Sequence, residues 1–225
     1  MKKNWWKILA SVLVLYSLAG GLLIEVPALA ILHETIRNLY YHVPMWFSMI
    51  LMYLISVIYS IKYLGSGKTN HDLMAVESVN TGVLFCFLGL ATGMLWANIT
   101  WGAPWPNDPK LNGAAISTLM YLAYLVLRNS IDEEQKRAKI SAVYNIFAFP
   151  VMIVLLFILP RMTDSLHPGN GGNPGFGGYD LDNKMKLVFY PTIIGWMLMG
   201  TWIMTIRYRL RKLENTHNTH DEKTI

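Results

Sequence analysis

The chain has 225 residues, of which 53% are hydrophobic and only 15% are charged, and its formal net charge is +5. An ordinary soluble domain has about a quarter charged residues, and the apolar residues here are grouped in long blocks. The composition therefore excludes a soluble globular protein and predicts an integral membrane protein.

Six apolar blocks are long enough, or nearly so, to cross a bilayer as helices, which takes roughly 20 residues. Helices satisfy their own backbone hydrogen bonds in lipid, where water is absent. We predict an all-α integral membrane protein with six transmembrane helices in one domain, residues 1–212. The predicted spans are about 8–31, 42–64, 78–99, 113–127, 140–160 and 187–206. The fourth block is short, so we expect it to extend into its flanks.

The first block also has the features of a cleavable signal peptide, namely a basic start, an apolar run and Ala28-Leu29-Ala30. Cleavage would leave five spans and an external N-terminus. The length of the apolar run, and the lack of a soluble domain after it, favour a retained first span.

Lysine and arginine are unequally shared between the two sets of segments that flank the spans. The set containing both termini, 62–77 and 128–139 has 14 of them, whereas 32–41, 100–112 and 161–186 have five. Cytoplasmic loops accumulate these residues, so both termini are predicted to be cytoplasmic. The basic run at 207–212 is then a membrane-edge anchor rather than a nucleic-acid patch, and the polar residues 213–225 are a predicted disordered tail.

The single cysteine, Cys86, falls in the middle of the third predicted span. It cannot form an internal disulfide, and the chain has no Cys-x-x-Cys-His motif for covalent haem attachment. We expect a small buried core residue. A thiol-disulfide enzyme and a c-type cytochrome are excluded, and no motif of a catalytic site is present.

The three external segments contain residues that plain loops do not need. The first ends in NLYYHVPMWF and places His42 at the mouth of the second span. The second, 100–112, is the tryptophan-rich TWGAPWPNDPKLN. The third, 161–186, has His167 before a run with six glycines between 169 and 178, which predicts a flexible flap.

Two histidines and several tryptophans at one membrane face suggest a planar aromatic ligand with a central metal. Neutral imidazole is a common ligand of haem iron, and aromatic side chains pack against flat rings. An interfacial aromatic belt and solvated surface histidines are the alternatives for each residue taken singly. Their coincidence at one face favours haem.

The motifs HVPMW (42–46), TGMLW (92–96), TWGAPWPNDPKL (100–111) and SLH (165–167) carry a family resemblance through their order and spacing. The chain resembles the haem-handling WWD-domain proteins of cytochrome c biogenesis, the CcmC and CcsA family of haem exporter protein C. The resemblance implies a non-enzymatic protein of the bacterial inner membrane that holds haem b non-covalently at the outer face. It also implies delivery to a periplasmic haem chaperone, and ABC-type ATPase and permease subunits as further partners.

Matching the motifs residue by residue assigns roles to this chain. The resemblance implies that His42 and His167 are the axial metal ligands. The haem-presenting residues implied by it are Trp96, Trp101, Gly102, Trp105 and Asp108. Haem propionates need cationic or hydrogen-bonding partners, and Lys110 and Arg161 are the basic residues nearest to the motifs.

Several alternatives stay open at this point. Asn107 replaces a tryptophan that the family often has beside the aspartate, and Asp108 could simply open a turn before Pro109. His33 is the rival axial ligand. A transporter permease would need broken helices and a polar midplane path, for which Pro150 and Asn145 in the fifth span offer weak support. A b-type cytochrome subunit would have histidines inside the spans.

Overall fold

The computed structural model describes residues 4–27, 29, 32–167 and 181–221. Its elements are α1 (Trp5–Leu23), a 3₁₀ helix (His33–Asn38), α2 (Leu39–Ser66), α3 (Thr69–Trp101), α4 (Pro109–Asn129), α5 (Glu134–Ile153), a π-helical turn (Val154–Ile158), α6 (Leu159–Met162) and α7 (Asn183–Asp221). The π-helical turn joins α5 and α6 into one span. The described chain thus has six helices long and apolar enough to cross a membrane, which confirms the predicted fold class.

The helix α7 runs further than the sequence predicts. Its 39 residues measure about 58 Å at a rise of 1.5 Å per residue, almost twice the bilayer core. It includes residues 213–221 of the segment expected to be disordered. Within two turns before this segment, Arg207 and Arg211 bind the buried carboxylate of Glu77 on α3, at 2.9 and 2.7 Å, and so tie α7 to the bundle. Residues 222–225, and the glycine run at 169–178, lie outside the described residues.

The helices α2 and α3 pack through one face of α3 that contains small residues. A methyl group added at Gly82 would meet Tyr53, one added at Gly89 would meet the Trp46 indole at 3.0 Å, and one added at Gly93 would meet the His42 ring at 2.7 Å. Small residues let helix backbones approach closely in membranes, where the hydrophobic effect does not drive helix association. The glycines therefore make room for three large side chains of α2.

Polar side chains inside the bundle join its helices. The Asn145 amide on α5 donates to Ser56 and Ser60 on α2, at 2.5 and 3.0 Å. The buried Arg128 on α4 forms a two-pronged ion pair with Asp72 on α3. The bonds to the two serines give Asn145 a role in helix packing. The Arg128–Asp72 pair joins α3 and α4 at the end of the bundle opposite to His42. Cys86 is buried, as predicted, 3.1 Å from the Thr118 hydroxyl.

The π-helical turn sets the position of α4. A methyl group at Gly113 would lie 2.5 Å from the Leu155 carbonyl oxygen in that turn, so the glycine allows α4 to touch the backbone of the neighbouring span. Asp108 caps the start of α4, and His167 follows the end of the span that contains the turn. The contact at Gly113 therefore brings the ends that carry Asp108 and His167 together.

Candidate functional site

Four chain segments meet at one end of the bundle because successive spans alternate in direction. They are the start of α2, the end of α3, the start of α4 and the segment after α6. We call the cluster at this end the outer site, and it consists of His42, Trp46, Trp96, Trp101, Asp108 and His167. Every member comes from one of the three segments predicted to be external or from the helix ends beside them.

His42 lies in the first turn of α2 and has hydrogen-bond partners on both ring nitrogens. Nδ1 lies 3.0 Å from the Gly89 carbonyl oxygen and 3.2 Å from the Thr92 hydroxyl. Nε2 lies 3.2 Å from the indole nitrogen of Trp46, one helical turn later. A carbonyl can only accept and an indole N–H can only donate. Both neighbours therefore require the same tautomer, with the proton on Nδ1 and the lone pair on Nε2.

Trp96 forms a second aromatic neighbour of His42. The two ring centroids are 6.0 Å apart, with an edge-to-face angle of 76°. The Trp96 N–H donates to the Thr35 hydroxyl in the 3₁₀ helix, at 3.2 Å. The indole is thus fixed between the imidazole and the segment that precedes α2.

The end of α3 places Trp101 beside the second histidine. Gly102 ends α3 with a left-handed backbone, at φ 78°, and its N–H donates to the Asn98 carbonyl. This conformation costs a residue with a side chain about 1–2 kcal/mol, so a local requirement explains the glycine. The Trp101 and His167 ring centroids are 4.9 Å apart at an angle of 66°.

Asp108 is the most connected residue of the outer site and only 1% of its surface is exposed. One carboxylate oxygen caps α4 by accepting the N–H groups of Lys110 and Leu111, and it also accepts from His167 Nδ1 at 3.0 Å. The other accepts from the Ser165 hydroxyl at 2.8 Å and the Leu166 N–H at 2.7 Å. Asp108 therefore both caps α4 and binds the SLH segment, residues 165–167.

The environment of Asp108 and His167 fixes their charge states. Burial alone would raise the pKa of Asp108, but hydrogen bonds from His167, Leu166 and Ser165 hold that pKa well below its usual range. Burial lowers the pKa of His167, although the bond to Asp108 acts in the opposite direction. At neutral pH an ionised carboxylate thus faces a neutral imidazole. Since the carboxylate accepts, the imidazole proton is on Nδ1 and the lone pair is on Nε2.

Trp105 stands apart from the two imidazoles. It is 37% exposed, and its N–H donates to the Asn112 side chain at 3.4 Å. The Asn112 amide in turn donates to Asn107 at 3.0 Å. Asn107, which replaces a tryptophan of the family pattern, therefore helps to hold the tryptophan-rich segment against the first turn of α4.

The remaining candidates occupy the rim of the outer site. Lys110 is partly buried and within electrostatic range of Asp108 and Arg161, whereas Arg161 is exposed at the end of its span. His33 is exposed at the start of the 3₁₀ helix and has a left-handed backbone, with φ 45°. It is Thr35, two residues later, that reaches Trp96.

The Nε2 lone pairs of His42 and His167 have the chemistry required of ligands to an iron porphyrin. His42 and His167 both have the proton on Nδ1, held by a carbonyl or a carboxylate, which is the usual arrangement for a metal-binding histidine. Both imidazoles lie against indole rings. Sequence reasoning missed Trp46 as a member of this site, and Thr92 and Gly93 as neighbours of His42. The spacing of four residues from His42 to Trp46 and from Gly89 to Gly93 is the signal that could have revealed them.

Comparison with known proteins gives a consistent set of relatives. Residues 1–223 match the family described as CcmC, Heme exporter protein C. The chain is 33% identical to the Heme exporter protein C of Bradyrhizobium diazoefficiens over 169 residues. This aligned stretch covers 73% of this chain and 62% of that protein. Over 179 residues it is 24% identical to the Heme exporter protein C of Paracoccus denitrificans, covering 78% and 72%.

A shorter match concerns a second group of proteins. A stretch of 76 residues is 40% identical to the Cytochrome c biogenesis protein CcsA of Prochlorococcus marinus. The stretch covers 34% of this chain and 24% of that protein. The chain thus spans less than two thirds of the Bradyrhizobium protein and about a quarter of the Prochlorococcus protein.

Proposed function

Since the chain belongs to the CcmC family of haem exporter proteins, we propose that it handles haem in cytochrome c maturation at the bacterial inner membrane, without catalytic turnover. His42 and His167 would hold the iron of a non-covalently bound haem b. The bound haem is presented to a periplasmic haem chaperone. ABC-type ATPase and permease subunits are the other proposed partners.

One observation carries this proposal. Two histidines from distant parts of the chain lie at the same end of the bundle, and each has its Nδ1 proton held by an acceptor. This pattern supports Nε2 as the iron-binding atom of both rings. A surface histidine that only faces solvent has no need of such partners.

The surroundings of the two imidazoles support a flat, anionic cargo. Trp96 and Trp101 provide indole faces and edges next to the two rings. Lys110 and Arg161 are positive charges at the rim, where propionates need partners. Trp105 is partly exposed, and we assign it to the contact with the chaperone.

Complementation tests the function. A bacterium that lacks its own copy of this component receives the wild-type chain, His42→Ala, His167→Ala or the control His33→Ala. We expect wild type and His33→Ala to restore covalent haem in c-type cytochromes, measured by haem staining of membrane proteins after gel electrophoresis. Both other variants should fail at equal protein levels. Normal maturation with His42→Ala and His167→Ala would refute the assignment.

A further inference from the structure

We propose that Trp46 is an internal competitor for the iron-binding nitrogen of His42. In the haem-free protein the indole N–H occupies the Nε2 lone pair, and haem binds His42 only after that hydrogen bond is broken. The inference rests on the proposed function, because it takes His42 as a ligand. It goes further by giving the haem-free site a defined closed state.

The hydrogen-bond geometry supports an occupied lone pair. The indole nitrogen of Trp46 lies 3.2 Å from His42 Nε2, and the two rings meet edge to face at 76° with centroids 6.1 Å apart. The other nitrogen, Nδ1, is already engaged by the Gly89 carbonyl. Since an imidazole nitrogen has one lone pair in the ring plane, iron and the indole N–H compete for the same place on Nε2.

The helix α3 holds the competing indole in position. The Trp46 ring lies against Gly89, where an added methyl group would come within 3.0 Å of it. The ring also packs against the main hydrophobic core of the bundle. The Trp46 indole thus packs against the backbone at Gly89, and in this position its N–H points at His42 Nε2.

The other tryptophan beside His42 does not compete in this way. The Trp96 N–H donates to Thr35 and leaves Nε2 of His42 untouched. Trp96 is therefore the control for Trp46: both indoles contact the His42 imidazole, but only the Trp46 N–H donates a hydrogen bond to its Nε2.

Trp46→Phe tests the competition, since it keeps an aromatic ring and removes the donor. Haem titration of the purified protein, followed by visible absorption, should show affinity raised about two- to twelve-fold, the factor that a neutral hydrogen bond is worth. Trp96→Phe should give no increase. An unchanged or lowered affinity in Trp46→Phe would overturn the proposal, because Nε2 would then be equally available with and without the indole N–H.

A measurement that needs no haem provides the second arm. In protein with ¹⁵N-labelled tryptophan, the Trp46 indole resonance, assigned through Trp46→Phe, should lie downfield in the haem-free wild type and move upfield in His42→Ala. Gallium protoporphyrin, a diamagnetic substitute for haem, should shift it in the same direction in the wild type. A Trp46 resonance that His42→Ala or the bound porphyrin leaves in place would refute the competition. Haem binding that survives His42→Ala with wild-type affinity would instead refute the proposed ligand, which separates the two failures.

Discussion

Asp108→Ala should lower haem affinity by about 10- to 100-fold, the usual range when a metal-binding histidine loses its supporting partner. The substitution removes the acceptor of the His167 Nδ1 proton and both bonds to Ser165 and Leu166. It also removes the N-cap of α4, which costs about 0.5–2 kcal/mol of stability. Haem titration by visible absorption and thermal unfolding by circular dichroism measure the two effects.

Asp108→Asn separates these two roles. Asparagine caps helices as well as aspartate does, so α4 should keep its stability. Its side-chain NH₂ group cannot accept the Leu166 N–H, and the anchor of the SLH segment is lost. We therefore expect reduced haem affinity at nearly wild-type thermal stability. Because the remaining oxygen can still cap α4 and accept from His167, wild-type affinity in Asp108→Asn would show that the bonds to Ser165 and Leu166 are not needed for haem binding.

Gly93→Ala is expected to have the second large effect, because it acts directly on His42. The new methyl group would lie 2.7 Å from the Cε1 atom of the imidazole and 3.2 Å from Nδ1. The ring must move, and its bond to the Gly89 carbonyl must stretch or break. We expect haem affinity to fall at least tenfold and stability to fall by about 1–3 kcal/mol, the usual cost of overpacking. The same titration and unfolding measurements apply.

Two other glycines provide controls for Gly93→Ala. Gly82→Ala creates a similar clash on the same face of α3, with Tyr53 and away from the outer site, so it should destabilise the bundle without lowering the haem affinity of the folded protein. Gly65→Ala meets no atom within 4 Å and should be neutral or slightly stabilising. Equal haem affinity in Gly93→Ala and Gly82→Ala would contradict a specific effect on His42.

The sequence predicts the fold well because lipid imposes a simple requirement. Each span must bury about 20 residues of helix, so blocks of apolar residues such as 42–64 and 187–206 mark the helices directly. The ends are harder to place. The helix α3 begins at Thr69 and α7 continues to Asp221, in both cases beyond the apolar blocks. Contacts between these polar helix ends, such as Arg211 with Glu77, follow from no local sequence pattern.

The sequence predicted every residue of the outer site except Trp46, but it did not predict the hydrogen bonds that join them. Motif order brings His42, Trp101, Asp108 and His167 to one membrane face. The double role of Asp108 as helix cap and histidine partner requires a contact across 59 positions of the chain, which sequence reasoning cannot locate. The engagement of Nε2 of His42 by Trp46 is local, and its spacing of four residues could have indicated it.

The central claim is that one iron atom is held by His42 and His167 together. Low-temperature electron paramagnetic resonance of the ferric haem-loaded protein tests it most directly. We predict a low-spin signal typical of two imidazole ligands in the wild type, and a high-spin signal in both His42→Ala and His167→Ala, with external imidazole restoring the low-spin form. A low-spin wild-type signal that persists unchanged in either variant would contradict the account.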